Sequence, residues 1–451
     1  MLKFLRGLYV SFLSTISSQS GTSPTSMQSM NVDTDSDADY ATPEIWEKRL
    51  RLDSARKSFW GNKKGKELSG QPIIEKEQLV NEPGDVIHIQ TCTGIYGPGV
   101  EGETELRGKE DKFTIGQFNI SVDWLRKAIA FTRKVKKVVN FDMIQQSRTL
   151  ISDWLARELD SKVFTDLYAD ATNTLYAGNG TSDTTLGDGD TLTTAELDKI
   201  KLAMDRIGSI PVTVRKKNGE ETNNYGVVVS ELDEYNLRGD DRWLEAARNA
   251  LLRSEDNPLF RGGPVEWNGL FVYTLRGLKA GGCIQGSPIR PECSLFSGGA
   301  GAAAATLNAS DTTIYVGSAA ITPTGQQRDF TKFFPTSGTI RIDNEDMTYT
   351  SKTYRTFVVS VRGANSTTAA THVTGSLITN RNMSRIIAFG AEIAAFGWGQ
   401  HPERIEDKDD YGFITGIGIE TLMGVQAIKD SQGNTPNYLV MKAWSKNPGS
   451  V

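Results

Sequence analysis

Apolar residues at helical spacing mark the region 141–177 as the longest regular element predicted in the chain. Its apolar positions recur three, four or seven residues apart, and they are Ile144, Ile151, Trp154, Leu155, Leu159, Phe164, Leu167 and Tyr168. Charged residues fall largely on the other side, with i,i+4 pairs at Asp153–Arg157 and Glu158–Lys162. No proline or glycine interrupts the region, so the pattern predicts one helix about 55 Å long. A helix of that length needs an equally long partner, which indicates a flat, extended protein.

Two β-patterned runs frame a long polar connection ahead of this helix. Residues 86–92 form the first run, and residues 113–124 alternate, with Phe118, Ile120, Val122 and Trp124 on one side. The connection at 94–111 is polar, rich in glycine and too long for an ordinary turn. These features predict a two-stranded hairpin that reaches away from the body. Because a lone hairpin is marginally stable in water, we expect it to lie on a partner surface, most naturally another copy of the chain.

Helical and β patterns alternate after the long helix. The predicted elements are a helix at 195–207 capped by Thr193 or Thr194, a buried strand at 225–229, helices from Ser230 and over 241–252, and a strand pair split at Asn268-Gly269. The cap follows from a T-x-x-E pattern, and Asn-Gly is a strong hairpin-turn dipeptide. This alternation predicts an α/β layer.

The composition changes near residue 297. Residues 297–305 read SGGAGAAAA and predict a flexible junction, and residues 306–378 are rich in threonine and serine with almost no helical pattern. Short strands are expected at 313–316, 338–342, 347–350, 357–361 and 372–378, with a turn at Asp343-Asn344. The region is therefore predicted to be a small β domain inserted into the α/β body.

The remaining patterned segments follow the predicted insert. Residues 386–396 are rich in alanine and are compatible with a helix or a strand. Residues 410–428 alternate at Phe413, Thr415, Ile417 and Ile419 and predict one long strand. Such a strand is the natural companion of the long helix.

The composition excludes several classes of protein. The chain has 451 residues and a formal net charge of −5, which argues against a protein that mainly coats nucleic acid. Three cysteines, Cys92, Cys283 and Cys293, form no CxxC pair, so neither a disulfide framework nor a thiolate metal site is expected. No window reaches the apolar length of a membrane span.

The N-terminal region has two interpretations. Lys3 and Arg6 precede a short apolar stretch, as in a secretion signal, but serines interrupt that stretch and no A-x-A cleavage site follows. The alternative, which we favour, is an amphipathic arm that docks on a neighbouring molecule. Residues 14–39 are rich in serine, threonine and aspartate and predict an extended arm. Within the arm, Asp33, Asp35, Asp37 and Glu44 have the spacing of a calcium loop, but Ala38 stands where that loop needs glycine, so a solvated acidic tract is favoured.

A run of basic residues at 126–139 contains no acid. It has the charge needed for a nucleic-acid contact, but Phe131 is its single aromatic residue, which is too few for the interleaved aromatics of a base-stacking surface. We therefore favour a strand or helix start whose basic side meets acidic neighbours.

Candidate catalytic motifs are weak throughout the sequence. His88, His372 and His401 lack metal-ligand spacing, and a G-x-G-x-x-G string at 97–102 opens no predicted helix. Glu101 and Glu103 could be drawn as an acid/base pair, but they lie in a polar loop with no apolar pocket to raise a pKa. We therefore predict no catalytic, cofactor-binding or metal site, and a protein that is not an enzyme.

The order of these elements resembles the tailed-phage major capsid proteins of the Hong Kong 97-type fold. More narrowly, it resembles the major capsid family of the large virion-polymerase podophages and related phages. The residues that carry the resemblance are Pro83-Gly84-Asp85, the 97–102 string with Leu106-Arg107-Gly108, the segment 154–160 with Phe164, Asp410-Tyr411-Gly412, and Gly424-Val425. The insert resembles another recurring phage module through IRIDNEDMTY at 340–349, Val361-Arg362-Gly363, residues 368–372 and Gly375.

The resemblance implies an α+β fold with six regions. These are an N-terminal arm (1–80), an extended β-hairpin loop (81–125), a peripheral domain with a spine helix (126–190), an axial α/β domain (191–296), an inserted all-β domain (297–382), and a return with a long strand (383–451). The insert is expected on the shell exterior, as a decoration-like domain.

The implied function is that of a major capsid protein in the virion capsid, assembled in the host cytoplasm. Copies would form hexamers and pentamers of an icosahedral head around double-stranded DNA. Expected partners are further copies, a portal, a scaffold, decoration or cement proteins, and the DNA in a non-specific contact; no cofactor and no membrane are expected. The alternative is a secreted or surface-exposed adhesive β-rich protein.

Overall fold

The computed structural model describes residues 58–445 except 68, 81–83, 93–98, 103–106, 108–114, 139–142, 218–219, 252–264, 276–277, 281–282, 286–288, 290, 296–305, 317–328 and 431. Its helices are α1 (Arg133–Lys136), α2 (Met143–Asp170), α3 (Thr194–Ile207), α4 (Glu231–Arg238) and α5 (Asp241–Leu251), with short 3-10 turns at Gly61–Lys63, Gln78–Val80 and Thr331–Phe333. The strands of the first part of the chain are β1 (Lys64–Gly65), β2 (Ile73–Lys76), β3 (Val86–Cys92), β4 (Ile115–Ser121), β5 (Asp123–Thr132), β6 (Thr174–Tyr176), β7 (Thr213–Lys217), β8 (Glu220–Ser230), β9 (Val265–Trp267), β10 (Leu270–Leu275), β11 (Leu278–Ala280) and β12 (Cys283–Gln285). Those of the second part are β13 (Glu292–Ser294), β14 (Thr313–Tyr315), β15 (Gly338–Ile342), β16 (Glu345–Thr353), β17 (Thr356–Ala364), β18 (Leu377–Thr379), β19 (Met383–Phe389), β20 (Ala394–Asp409), β21 (Ile414–Ala427) and β22 (Tyr438–Trp444).

The predicted long helix is confirmed as α2, which we call the spine helix, although it ends earlier than predicted. It has 28 residues and stops at Asp170, not near residue 177. The following residues form β6, which pairs in parallel with β22 through Thr174 and Val440. Thr172 Oγ1 also lies 2.8 Å from Thr435 Oγ1. These contacts with a distant part of the chain end the helix, and no local sequence signal announces them.

The spine helix lies on a sheet that contains the predicted late strand. The sheet has the order β1-β2-β20-β21-β5, and β20 and β21 form a long antiparallel hairpin, here called the long hairpin. Leu155, Leu159 and Leu167 of the helix share a buried cluster with Ile417 and Met423 of β21. The prediction that the apolar face of the helix packs on this strand is therefore confirmed. The strand begins at Ile414, because Asp410, Tyr411 and Gly412 take positive φ angles in the turn of the long hairpin.

The α/β layer is also confirmed. Its sheet runs β6-β22-β19-β8-β10-β9, with β7 paired to β8. Buried residues of α3, α4 and α5 cover one face, whereas Val228, Phe389 and Tyr438 belong to the cluster beneath the spine helix. The segment at 386–396 is not a helix, since it contributes to β19 and β20, where alanines fit between the layers.

Of the turn and helix-cap motifs predicted in this layer, two are present as expected and one differs. Asn268 and Gly269 form the predicted turn with φ angles of 47° and 77°. Ser230 caps α4 through a capping box with Asp233. Thr193 occupies the N-cap position of α3 but makes no capping hydrogen bond through its side chain. Instead, Asp240 Oδ2 accepts hydrogen bonds from the backbone and hydroxyl of Thr194, at 2.7 and 2.6 Å.

The predicted insert contains a sheet with the order β13-β18-β15-β16-β17-β14. Its strands match those predicted, except that β18 is short and β13 joins the sheet from before the predicted junction. The junction at 297–305 lies outside the described residues. The insert is fastened to the body: Lys332 forms an ion pair with Glu158 of the spine helix, and Arg385 Nη2 donates to the carbonyl of Phe333 at 2.7 Å.

Candidate assembly site

The predicted extended hairpin is present as β3 and β4, which pair from Val86 opposite Ser121 to Cys92 opposite Ile115. The single predicted strand over 113–124 is broken at Val122, whose backbone N–H bonds the carbonyl of Asp85 at 2.9 Å. β5 then turns to pair with β21. Most of the connection at 94–111 lies outside the described residues.

The root of this hairpin rests on two glycines. Gly397 of β20 and Gly424 of β21 are direct cross-strand partners. A Cβ on Gly397 would lie 2.6 Å from Ile87 Cδ1, and a Cβ on Gly424 would lie 2.1 Å from the carbonyl oxygen of Ser121. Ile87, Phe118 and Ile120 are buried there together with Ala395. The glycines therefore allow the hairpin backbone to cross the long hairpin in close contact.

Beyond the root, the hairpin leaves the body. Phe118 and Ile120 are buried, but the outer residues Ile115 and Gln117 are exposed, and Ile115 is 58% exposed. Among the described residues, β3 and β4 form a sheet of two strands only. His88 lies opposite Asn119 on the exposed side of the root, with its Nδ1 2.7 Å from Asn119 Oδ1. An exposed two-stranded arm with an apolar side chain near its far end is suited to lie on another molecule.

A second feature fixes where the N-terminal region joins the body. Asp160 of the spine helix accepts hydrogen bonds from Ser58 Oγ, Phe59 N and Trp60 N at 2.6, 2.8 and 3.0 Å. Burial raises the pKa of the Asp160 carboxyl, and the three hydrogen bonds and Lys64 oppose that rise. Trp60 is buried against Phe164 and Phe389. The first 57 residues, including the acidic tract that begins at Asp33, lie outside the described part of the chain.

The tip of the long hairpin is a further exposed feature of the chain. Tyr411 is fully exposed, and Phe413 and Val138 are 43% and 75% exposed. Arg133 N donates to the carbonyl of Phe413 at 2.7 Å, which fastens the end of β5 to the tip. Tyr411 and Phe413 thus give the turn of the long hairpin two exposed aromatic side chains.

The basic run at 126–139 occupies β5 and α1. Arg126 lies directly opposite Glu420 of β21. Burial raises the pKa of Glu420, Arg126 lowers it, and Glu403 on the next strand raises it further. The prediction that the basic side meets acidic neighbours is confirmed at this pair.

The other two histidines, His401 and His372, each lie beside acidic side chains. His401 Nε2 lies 3.4 Å from Glu77, and His372 lies in the insert with Nδ1 2.7 Å from Asp343 and Nε2 2.9 Å from Glu345. Arg362 binds the Glu345 carboxylate through Nε and Nη2 at 2.7 and 2.9 Å. Burial alone would raise the pKa of Glu345, but hydrogen bonds from Arg362, from two backbone N–H groups and from His372 lower it to about 2.

The remaining candidate motifs form no site within the described ranges. In the G-x-G-x-x-G string, Glu101 and Gly102 are exposed loop residues, and Glu103 lies outside the described residues. Cys293 is buried. No three His, Cys, Asp or Glu residues of the described part are grouped so that they could hold a metal ion. No helix described in the structure combines the length and apolarity needed to cross a membrane.

Comparison with known proteins identifies the family to which this chain belongs. Residues 35–321 match the family model described as phage capsid protein. This chain belongs to the phage capsid protein family. It is therefore a capsid shell protein, and its location is the virion capsid. The prediction of a tailed-phage major capsid protein is confirmed, and the secreted adhesive protein is not favoured.

Individual relatives agree with the family. The major capsid protein of Pseudomonas phage KPP25 is 26% identical over 263 residues, which are 49% of this chain and 69% of that protein. The capsid of Ralstonia phage GP4 aligns with a TM-score of 0.55 at 14% identity, over 96% of this chain and 100% of that one. The capsid asymmetric unit of cyanophage Pam1 aligns with a TM-score of 0.56 at 13% identity, over 87% and 93%. These structures support the α+β capsid fold.

Sequence reasoning missed the two features that fix the assembly elements. Gly397 and Gly424 lie inside apolar strand patterns, where an isolated glycine signals close backbone approach, but their pairing depends on the register of β20 and β21. Asp160 lies among many charged residues of the spine helix, and nothing local distinguishes it from those that face solvent.

Proposed function

We propose that the chain is the major coat subunit of an icosahedral head, assembling into hexamers and pentamers around double-stranded DNA. The neighbours' descriptions as capsid and capsid asymmetric unit support self-assembly. We assign the Hong Kong 97-type plan as follows: arm 1–80, extended hairpin 81–125, peripheral domain 126–190, axial domain 191–296, insert 297–382 and return 383–451. The spine helix on the long hairpin and the seven-stranded layer support the peripheral and axial assignments.

The observation that carries the proposal is that the described part of the extended hairpin packs on the body at its root and has an exposed outer end. Gly397 and Gly424 receive the root, whereas Ile115 near the far end is exposed. In this arrangement the hairpin direction is set by its own subunit, and the far end lies over the neighbouring subunit. The part of the N-terminal arm that precedes the Asp160 anchor, residues 1–57, makes a second contact between copies.

The other proposed partners are those that a shell needs in order to assemble and to package DNA. A portal and a scaffold assist assembly, decoration or cement proteins bind outside, and the DNA meets the inner surface without sequence readout. The net charge of −5 is consistent with a weak contact to DNA and not with a tight one. The role is structural, and no catalytic activity is proposed.

Expression of the full chain with a scaffold and portal, followed by electron microscopy, tests the proposal. Shells are expected, and a population of small soluble monomers only would contradict it. Deletion of 94–111 should abolish shells while leaving the melting temperature of the unassembled subunit close to that of the wild type. A chain in which 94–111 is replaced by glycine and serine at equal length separates the effect of length from that of side chains. Normal shells from the deletion variant would overturn the role of the hairpin.

A further inference from the structure

A cavity lies where the spine helix, the seven-stranded layer and the insert meet. Its volume is about 220 Å³, and its lining includes Tyr168 of the spine helix, Pro335 of the insert, and Arg385 and Lys442 of the layer. Arg385 and Lys442 are direct partners across β19 and β22, so both side chains project from the same face of the sheet. Two cationic side chains therefore border one small space, which we call the Arg385 cavity.

The positive charge of Arg385 has little compensation within the described residues. Its Nη2 donates to the carbonyl of Phe333 at 2.7 Å, and its guanidinium carbon lies 4.7 Å from the centroid of the Tyr168 ring. Its Nε is buried without a hydrogen-bond partner among those residues. Burial lowers the pKa of Arg385, with Tyr168 and Asp183 among the groups that oppose the fall. A guanidinium has five N–H donors, so much of its capacity to donate is unused.

The lining also includes one acid, Asp183, whose charge is already paired. Its Oδ1 accepts hydrogen bonds from Lys442 Nζ at 2.6 Å and from Tyr176 Oη at 2.9 Å. The charges of Lys442 and Asp183 therefore offset each other. The charge that remains in the described lining is the positive charge of Arg385.

The chemistry and the size of the cavity favour an anion as its occupant. Removing a cation from water is unfavourable unless an opposite charge accompanies it. Arginine matches oxyanions well, because two of its N–H groups can donate in parallel to two oxygen atoms of a carboxylate or a phosphate. One water takes about 30 Å³ in the liquid. A cavity of about 220 Å³ therefore has room for an anion of a few heavy atoms together with waters.

We propose that the Arg385 cavity binds a small oxyanion, such as inorganic phosphate, between Arg385 and Lys442. The anion supplies the counterion that Arg385 lacks, and Lys442 adds a second cation within the same lining. Asp183 limits the affinity, because its carboxylate repels the anion. Since the spine helix, the layer and the insert all border the cavity, the bound anion also holds the insert to the body. The inference concerns the single subunit and does not rest on the proposed function.

Isothermal titration calorimetry on the full-length subunit tests the inference. Sodium phosphate is the ligand, and sodium chloride of equal ionic strength is the reference. We expect saturable binding of one phosphate per subunit with a dissociation constant below about 1 mM. Saturation is the decisive property, because phosphate also strengthens burial in general by being excluded from protein surfaces, and that effect has no stoichiometry.

Two variants should change the affinity in opposite directions. Arg385→Gln should weaken phosphate binding about tenfold or more, because the anion loses a charged donor. Asp183→Asn should strengthen binding about threefold, because a negative charge leaves the lining. A gain of affinity cannot result from misfolding. Lys408→Gln and Asp407→Asn on the exposed part of β20 are the matched controls and should bind phosphate as the wild type does.

Three results would overturn the inference. The absence of saturable binding in the wild type would mean that the cavity holds water alone. Wild-type affinity in Asp183→Asn, or in a folded Arg385→Gln, would place the phosphate at another site. Equal weakening by Lys408→Gln would reveal a general effect of charge. If Arg385→Gln shows no melting transition in chloride, Lys442→Gln replaces it, because the Lys442 side chain is partly exposed, and wild-type affinity in that variant would refute the site.

Discussion

Gly397 and Gly424 are direct partners across the long hairpin, and together they form the floor on which the extended hairpin rests. Neither glycine takes a positive φ angle, so their role is spatial and not conformational. At Gly424 the close neighbour is backbone, the carbonyl oxygen of Ser121, which cannot move aside as a side-chain end can. The position of the hairpin root is thus determined by the absence of two Cβ atoms.

Gly424→Ala should displace the hairpin root and destabilise the subunit. A Cβ at 2.1 Å from the Ser121 oxygen requires a backbone shift, and overpacking of this kind costs about 1–3 kcal/mol. Urea unfolding of the subunit and the yield of shells measure the two effects. Gly416→Ala is the matched control in the same strand, because its Cβ would approach no atom closer than 3.7 Å. Equal behaviour of the two variants would show that the root does not depend on Gly424.

Asp160→Ala should weaken the attachment of residues 58–60 to the spine helix. It removes the acceptor for Ser58, Phe59 and Trp60 and leaves their donors without a protein partner, at a cost of about 2–3 kcal/mol. Tryptic cleavage after Lys63 and Lys64 should then accelerate severalfold, as followed by mass spectrometry.

Arg157→Ala is the control for the Asp160 prediction, because Arg157 is exposed on the same helix. It should cleave at the wild-type rate. Unchanged cleavage in Asp160→Ala would mean that Trp60 alone holds this segment, through its packing against Phe164 and Phe389.

Elements with a strong local period could be predicted from the sequence, and elements that depend on distant partners could not. The spine helix and β21 have one apolar face each, so their type and their pairing followed from periodicity. By contrast, β22 is buried on nearly every residue, because layers cover both faces of its sheet, and such a short apolar run has no diagnostic period.

The polar half of β20 was not predicted as a strand because, unlike β22, it has too few apolar residues to show a period. Residues 403–409 are all charged except Ile405, and most of them are exposed. Only pairing with β21, from Glu403 opposite Glu420 to Asp409 opposite Ile414, makes this segment a strand. The glycine floor and the Asp160 anchor could not be predicted from the sequence for the same reason, since each joins residues that are far apart in the chain.

Leu155→Ala should destabilise the body through the contact between the spine helix and β21. Leu155 is fully buried in the cluster that includes Ile417, and removing such a side chain costs about 2–5 kcal/mol. Trp154→Asp should unfold the body, because it places a carboxylate beside this cluster. Urea unfolding measures both variants.

Arg157→Glu separates folding from assembly on the same helix. Arg157 is exposed, so its charge reversal should leave the unfolding midpoint unchanged and should at most reduce the yield of shells. If Leu155→Ala and Arg157→Glu reduced assembly alike with normal folding, the packing of the helix on β21 would be wrong.

Asp166 and Asp170, one turn apart at the end of the spine helix, should make subunit stability depend on pH. Burial, and then repulsion from Asp170, raise the pKa of Asp166 from 3.8 to about 7, while Lys162 opposes the rise. The folded state therefore binds this proton more tightly than the unfolded state, and the associated stability is complete below pH 3.8 and is lost as the pH rises through about 7. Asp166→Asn should flatten the pH dependence and be more stable than the wild type at pH 8 by on the order of 1 kcal/mol. Urea midpoints between pH 4 and 8 measure this, with Asp407→Asn on the exposed part of β20 as the control, and a wild-type slope in Asp166→Asn would refute the assignment.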